Sequence, residues 1–132
     1  MAKMTVDTKI LPIKADSIDV VPTGDLGDVV RETLIEVLDS DPRDDESYVD
    51  YIKRQAKAKA DEMNVIKVAL GLTTKEMEKI NKTFEESTID NYAAYIMSVL
   101  QGLTTGTYKE FMASQEEDAE EVTDPKSEED AD

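Results

Sequence analysis

The sequence predicts a mainly α protein: a small domain of four to five helices, short β-strands or an extended arm at the N-terminus, and a disordered acidic tail at the C-terminus. Three observations carry this. Between Leu26 and Leu103 the apolar residues recur at three-, four- and seven-residue steps, the period of a helix face. Stop and start residues punctuate those runs at Asp41-Pro42, Gly71, Thr73 and Gly102. From Ala113 to Asp132 ten acids stand against one base, Lys126, and nothing is larger and more apolar than Val122. Such a segment buries too little surface to offset its ordering entropy. The 132 residues fit one small domain, divided into residues 1–25, a helical domain 26–112 and the tail 113–132.

The N-terminal segment is the least regular. Thr5 to Ile13 and Ser17 to Val21 mix β-branched and polar residues, and Pro12 prevents a regular central strand. Two short edge strands and an extended arm both satisfy this pattern. If ordered, the segment packs on the helices through Val6, Ile10, Ile13, Ile18 and Val20; an arm would instead add to a neighbouring subunit.

The first helix runs from about Leu26 to Leu38, with Leu26, Val30, Leu34, Val37 and Leu38 on one side. Asp28 and Glu32 suit the dipole of its early turns. The second and longest runs from about Glu46 to Leu70, with Tyr48, Ile52, Ala56, Met63, Ile66 and Leu70 on one stripe. Gly71 is placed to close it in the left-handed region. The third starts at a capping box, Thr73 with Glu76, and has staple spacing between Leu72 and Met77. It reaches about Lys82 and buries Met77 and Ile80. The fourth starts near Ser87 or Thr88 and ends at Gln101, with Ile89, Tyr92, Ala93, Ile96 and Leu100 on one face and Tyr95 and Val99 on a second. A helix apolar on two sides packs between neighbours or at a subunit contact. A short last helix follows Thr107, where Thr107 and Glu110 repeat the capping-box spacing. Gly71-Leu72-Thr73-Thr74 recurs as Gly102-Leu103-Thr104-Thr105, two copies being too few for a solenoid.

Composition removes several function classes. There is no His, Cys or Trp, so disulfides, His or Cys metal sites and Ser-His-Asp or Cys-His catalysis are impossible. A net charge of −16 repels nucleic acid unless a basic face stands apart. The apolar runs are too short to span a membrane, and the start of the chain lacks the apolar stretch of a signal peptide. A soluble cytoplasmic protein, without cofactor, is therefore expected.

Asp39, Asp41 and Asp45 match three positions of a calcium loop, but Arg43 occupies a ligand position, Asp44 replaces the turn glycine and Asp50 replaces the bidentate Glu. That makes Asp39 to Asp50 a polar connection whose acids cap the next helix. Lys53, Arg54, Lys57 and Lys59 are the one basic concentration. They read as a solvated face paired with nearby acids, with a dock for the acidic tail as the functional alternative. The five glycines form no phosphate-cradling motif, and no pair among the many carboxylates stands out as acid and base. No enzyme is predicted.

The stretch Val65-Ile66-Lys67-Val68-Ala69-Leu70-Gly71-Leu72-Thr73-Thr74-Lys75-Glu76-Met77-Glu78-Lys79-Ile80 resembles the core of tail assembly chaperones from long-tailed bacteriophages. Asn91 to Leu103, ending Val99-Leu100-Gln101-Gly102-Leu103-Thr104, is similar in kind to the next helix of those proteins. The resemblance covers Ile52 to Thr104, about two fifths of the chain. It implies a non-enzymatic chaperone in the bacterial host cytoplasm that coats the long helical tape-measure protein and assists tail-tube assembly. The apolar faces carrying Met63, Tyr92, Tyr95, Ile96 and Val99 are then the expected partner groove, although each residue also suits an ordinary core. Homo-oligomers are compatible with this reading. Two rivals stand beside it: an acidic regulator that imitates nucleic acid to bind a basic protein, and a structural head–tail connector.

Overall fold

The computed structural model describes residues 3–116. In order, the elements are β1 (Met4–Asp7), β2 (Ser17–Val20), α1 (Gly24–Leu38), α2 (Tyr48–Leu70), α3 (Thr74–Thr83) and α4 (Glu86–Leu100). A fifth helix, α5, occupies residues 108–116. The chain is thus mainly helical with a short N-terminal hairpin. α5 takes in the first four residues of the segment expected to be a disordered tail; the rest of that segment lies outside the described residues.

Of the two N-terminal alternatives, the strands form. β1 and β2 pair antiparallel, with Met4 opposite Val20 and Val6 opposite Ile18. Period-two alternation puts these four on one face, and Val6 and Val20 are buried in the helical core. Ile10, Ile13 and Ile18 pack against the same core. The strands are shorter than the β-branched stretches, because the chain turns after Asp7. Buried Thr8 closes the connection: its hydroxyl donates to the Ala15 carbonyl at 2.6 Å and its N–H to Asp16 O at 2.9 Å. Pro12 falls in that connection, where no ladder bond is required of it. A two-stranded hairpin is marginal alone and needs the helices beneath it.

α1 and α2 form an antiparallel pair, tied by Lys57 to Glu36 at 2.9 Å and, nearer the elbow, by Gln55 to Ser40 O at 2.6 Å. α1 starts two residues earlier than the apolar pattern indicates, because Thr23 is its N-cap and accepts from Leu26 N–H at 3.3 Å. Ser47 caps α2 by accepting from Asp50 N–H. The capping box of α3 is present in both directions, and Leu72 and Met77 are both buried. Thr107 and Glu110 make the same reciprocal pair ahead of α5.

The two Gly-Leu-Thr-Thr copies share one piece of chemistry. Gly71 and Gly102 both lie at positive φ, +66° and +75°. After each, the leucine N–H reaches back five residues, Leu72 to Lys67 O and Leu103 to Ser98 O, as in a Schellman closure. Beyond the closure they part: Leu72 is buried and Leu103 is exposed. Thr73 caps a helix, whereas after the second copy the cap is supplied by Thr107.

The stripe expected along α2 holds in its C-terminal half, where Ile66 and Leu70 are buried and Met63 packs on the core, and fails in its N-terminal half. The buried residues are Ala58, Glu62, Val65, Ile66, Ala69 and Leu70, while Tyr48, Ile52 and Ala56 are exposed. Only the C-terminal half of this 23-residue helix meets the rest of the core. Its N-terminal half packs against the end of α1. Leu38, placed on the inner stripe of α1 by its spacing, is likewise exposed.

Candidate partner-binding surface

α4 is the centre of the fold, and this decides the fate of the expected partner residues. Tyr92, Tyr95, Ile96 and Val99 are all buried, the two tyrosines at 1% and 0% exposure. They offer no surface to a partner, and that expectation is corrected: an isolated amphipathic pattern cannot distinguish a helix flanked on both sides from one with a free face. Met63 is partly buried and packs against the core.

The tyrosines instead clasp the N-terminal hairpin. Tyr92 Oη donates to the Asp7 carbonyl at 2.7 Å. Tyr95 Oη accepts from Asp7 N–H at 3.0 Å and donates to Gly106 O at 2.7 Å. The Asp7 carboxylate in turn accepts from Tyr108 N–H, in the first turn of α5, at 3.0 Å. Asp7 therefore joins β1, α4 and α5. Tyr92, Tyr95, Tyr108 and Phe111 pack around it with ring centroids 5.4–5.8 Å apart, the range of favourable tilted contacts. Burial pushes the Tyr92 and Tyr95 phenols up, so both hydroxyls keep their protons for donation.

The basic cluster divides. Arg54 donates to both carboxylate oxygens of Glu46, at 2.6 and 2.8 Å, and to the carbonyls of Asp39 and Asp41. The connection between α1 and α2 is thus organised around the Arg54 guanidinium. The Arg54 hydrogen bonds hold the Glu46 carboxyl down at about 2. Lys57 pairs with Glu36 and Asp61, which raise its amine. Lys53 and Lys59 make no ion pair among the described residues. Arg54 and Lys57 thus already hold acids of the folded part; the tail expected to dock on this cluster lies outside the described residues beyond residue 116. Among the described residues no cluster of acids is placed to hold a metal ion, and no helix is long and apolar enough to cross a membrane.

Two further surfaces bear on binding. The first is an apolar edge. Ile35, Leu38, Tyr48, Val49 and Ile52 are exposed, Leu38 at 81% and Tyr48 at 75%. All lie where α1 ends and α2 begins. The second is a half-open groove of about 290 Å³ between α1, α2 and α4, at the lower edge of the roughly 300–1,000 Å³ of ligand cavities. Its walls are mainly apolar: Leu34 and Val37 from α1, Ala58 from α2, Ala94 and Met97 from α4. At its floor lies Glu62, with Asp90 and Glu86 beside it. Edge and groove are continuous along the helices, since Leu34 and Leu38 stand one turn apart, as do Ile52 and Gln55.

Sequence inspection missed this groove, although one signal was available. Ala58, Glu62, Val65 and Ala69 also follow helical spacing, with a carboxylate inside an otherwise apolar row. Small Ala58 and charged Glu62 lend that row little weight in a hydrophobic count. Compared with known protein families, curated proteins and solved structures, the chain matches none of them.

Proposed function

We propose that this protein is a non-enzymatic tail assembly chaperone of a long-tailed bacteriophage, acting in the host cytoplasm on the helical tape-measure protein and assisting tail-tube assembly. One observation carries the binding part of this reading: five exposed large apolar residues gather at the α1–α2 elbow. Scattered single apolar residues need no explanation, whereas gathered ones mark binding surfaces. An amphipathic partner helix is read through apolar anchors at turn spacing, and Leu34, Leu38, Tyr48 and Ile52 follow that spacing on two adjacent helices. The resemblance over Ile52 to Thr104 supplies the identity of the partner. The acidic C-terminal segment fits the role, because like charge keeps loaded complexes apart.

The test is capture from phage-infected cells with the full-length protein, followed by mass spectrometry. The expected product is a long, helix-rich tail protein that stays bound in high salt and is lost with the paired substitutions Leu38→Glu and Ile52→Glu. Both positions are exposed, so the fold tolerates the change. Purified virions should lack the protein; finding it there would favour a connector. Recovery of a basic nucleic-acid-binding protein, released by salt, would overturn the chaperone reading and favour the mimic.

A further inference from the structure

Glu62 is an unusual core residue. Its side chain sits on the buried face of α2 at 6% exposure, and no basic group lies at ion-pair distance among the described residues. Its acidic neighbours on α4, Asp90 and Glu86, line the same groove. α1 brings only Leu34 and Val37 to this space. α2 adds Lys59, one turn away, which lines the groove without pairing. A carboxyl buried beside another acid resists ionisation. The fold nevertheless aims this pair into a half-open groove with apolar walls, where a cation from outside would complete it.

We propose that the groove between α1, α2 and α4 receives the apolar face of a partner helix carrying a lysine or arginine, whose aliphatic stem lies against Leu34, Val37 and Met97 and whose charged tip reaches Glu62 and Asp90. Long basic side chains bury their stems along apolar walls in this manner. Charge selects the occupant. Residues 117–132 of the same chain carry nine acids against Lys126, so they are repelled by the groove. For the existence of a protein partner the proposal rests on the function proposed above; the chemistry of the contact comes from the groove alone. Docking also displaces a proton. In the free protein, burial first and the Asp90 carboxyl second push Glu62 up to about 8, and an arriving cation favours the ionised form. By linkage, affinity rises with pH through the neutral range.

The probe is a synthetic peptide of about 18 residues, five helical turns, with leucines along one face, a single central lysine among them, and alanine and glutamine elsewhere. Its twin carries norleucine in place of the lysine. Fluorescence anisotropy reads binding to the full-length protein. The lysine peptide is expected to bind the wild type about tenfold more tightly than its twin, a modest value for a desolvated charge pair. Its affinity should increase between about pH 6 and pH 9, across the titration of a raised carboxyl. Glu62→Gln should erase both the preference and the pH dependence; Asp90, which is exposed, gives the same readout as Asp90→Asn if the first variant fails to fold. Lys59→Gln should tighten the lysine peptide by removing a like charge. Equal binding of the two peptides, binding of neither, or a lysine preference that survives Glu62→Gln would overturn the proposal, the last by assigning it to the acidic segment. Self-association that competes with the peptide and is lost in Glu62→Gln would also overturn it, by making a second copy the occupant. Each failure leaves the chaperone reading standing, since capture of the tail protein is read through Leu38 and Ile52.

Discussion

Replacing Tyr95 by Phe removes one oxygen from the centre of the clasp and leaves the ring in place. The lost hydroxyl accepts from Asp7 N–H and donates to Gly106 O. Phe cannot serve either group, so a backbone N–H on β1 and a carbonyl ahead of α5 lose a partner together. A net hydrogen bond contributes about 1 kcal/mol, and an orphaned buried group costs about 1–3 kcal/mol. The expected destabilisation is therefore about 2–3 kcal/mol, or about 10 °C in Tm for a domain of this size. Urea unfolding followed by far-ultraviolet circular dichroism measures the total. Hydrogen exchange locates it: amides of β1, β2 and the start of α5 should lose protection before those of α2. Tyr48→Phe is the control, because Tyr48 is exposed and makes no such bond; its effect should stay within about 0.5 kcal/mol. A Tyr95→Phe protein as stable as that control would refute the clasp. If it were also unable to capture its partner, Tyr95 would return to the binding surface where the sequence placed it.

Other perturbations separate backbone, electrostatic and loop contributions. Gly71→Ala meets no neighbouring atom within 4 Å but must hold φ +66°, so it should cost about 1 kcal/mol by chemical denaturation; a neutral result would show that the α2 closure relaxes. Glu62→Gln should change the pH dependence of stability. Wild-type Glu62 is raised from an ordinary 4.5 to about 8, so the fold binds a proton that the unfolded chain releases, and stability falls as pH rises from 4.5 to 8. The fall is on the order of a few kcal/mol, and Tm measured across that range should flatten in the variant; parallel profiles would show that Glu62 titrates normally. Arg54→Met should free the connection between α1 and α2, read as faster proteolysis between Ser40 and Ser47, because the Asp39 and Asp41 carbonyls and the Glu46 carboxylate lose their shared donor. Unchanged cleavage would mean that the connection is held by other contacts.

The sequence by itself determined the helices and most of their ends. Capping is local chemistry: Thr73 with Glu76, Thr107 with Glu110, and a glycine at positive φ after α2 and α4 are satisfied within a few residues of chain. α1 and α4 begin before their first apolar residue, because a cap or first turn carries no hydrophobic signal, whereas α2 begins at Tyr48, two residues after the expected Glu46, with Ser47 as its cap. That Val6, Ile18 and Val20 would pack on the helices if the segment were ordered was also legible, but only the antiparallel pairing puts them on one face. Which apolar faces reach solvent was decided by the tertiary structure. Tyr92, Tyr95, Ile96 and Val99 match a binding face in spacing, yet all four are buried, the two tyrosines against the hairpin and α5; Tyr48, Ile52 and Leu38 match a core stripe, yet they are exposed where the α1–α2 pair extends past the rest of the fold. The acid pair of Glu62 and Asp90 exists only once α2 and α4 pack, because residues 28 positions apart have no local reason to meet. Periodicity records that a face is apolar, and the count and placement of neighbouring elements determine whether that face ends as core, clasp or surface.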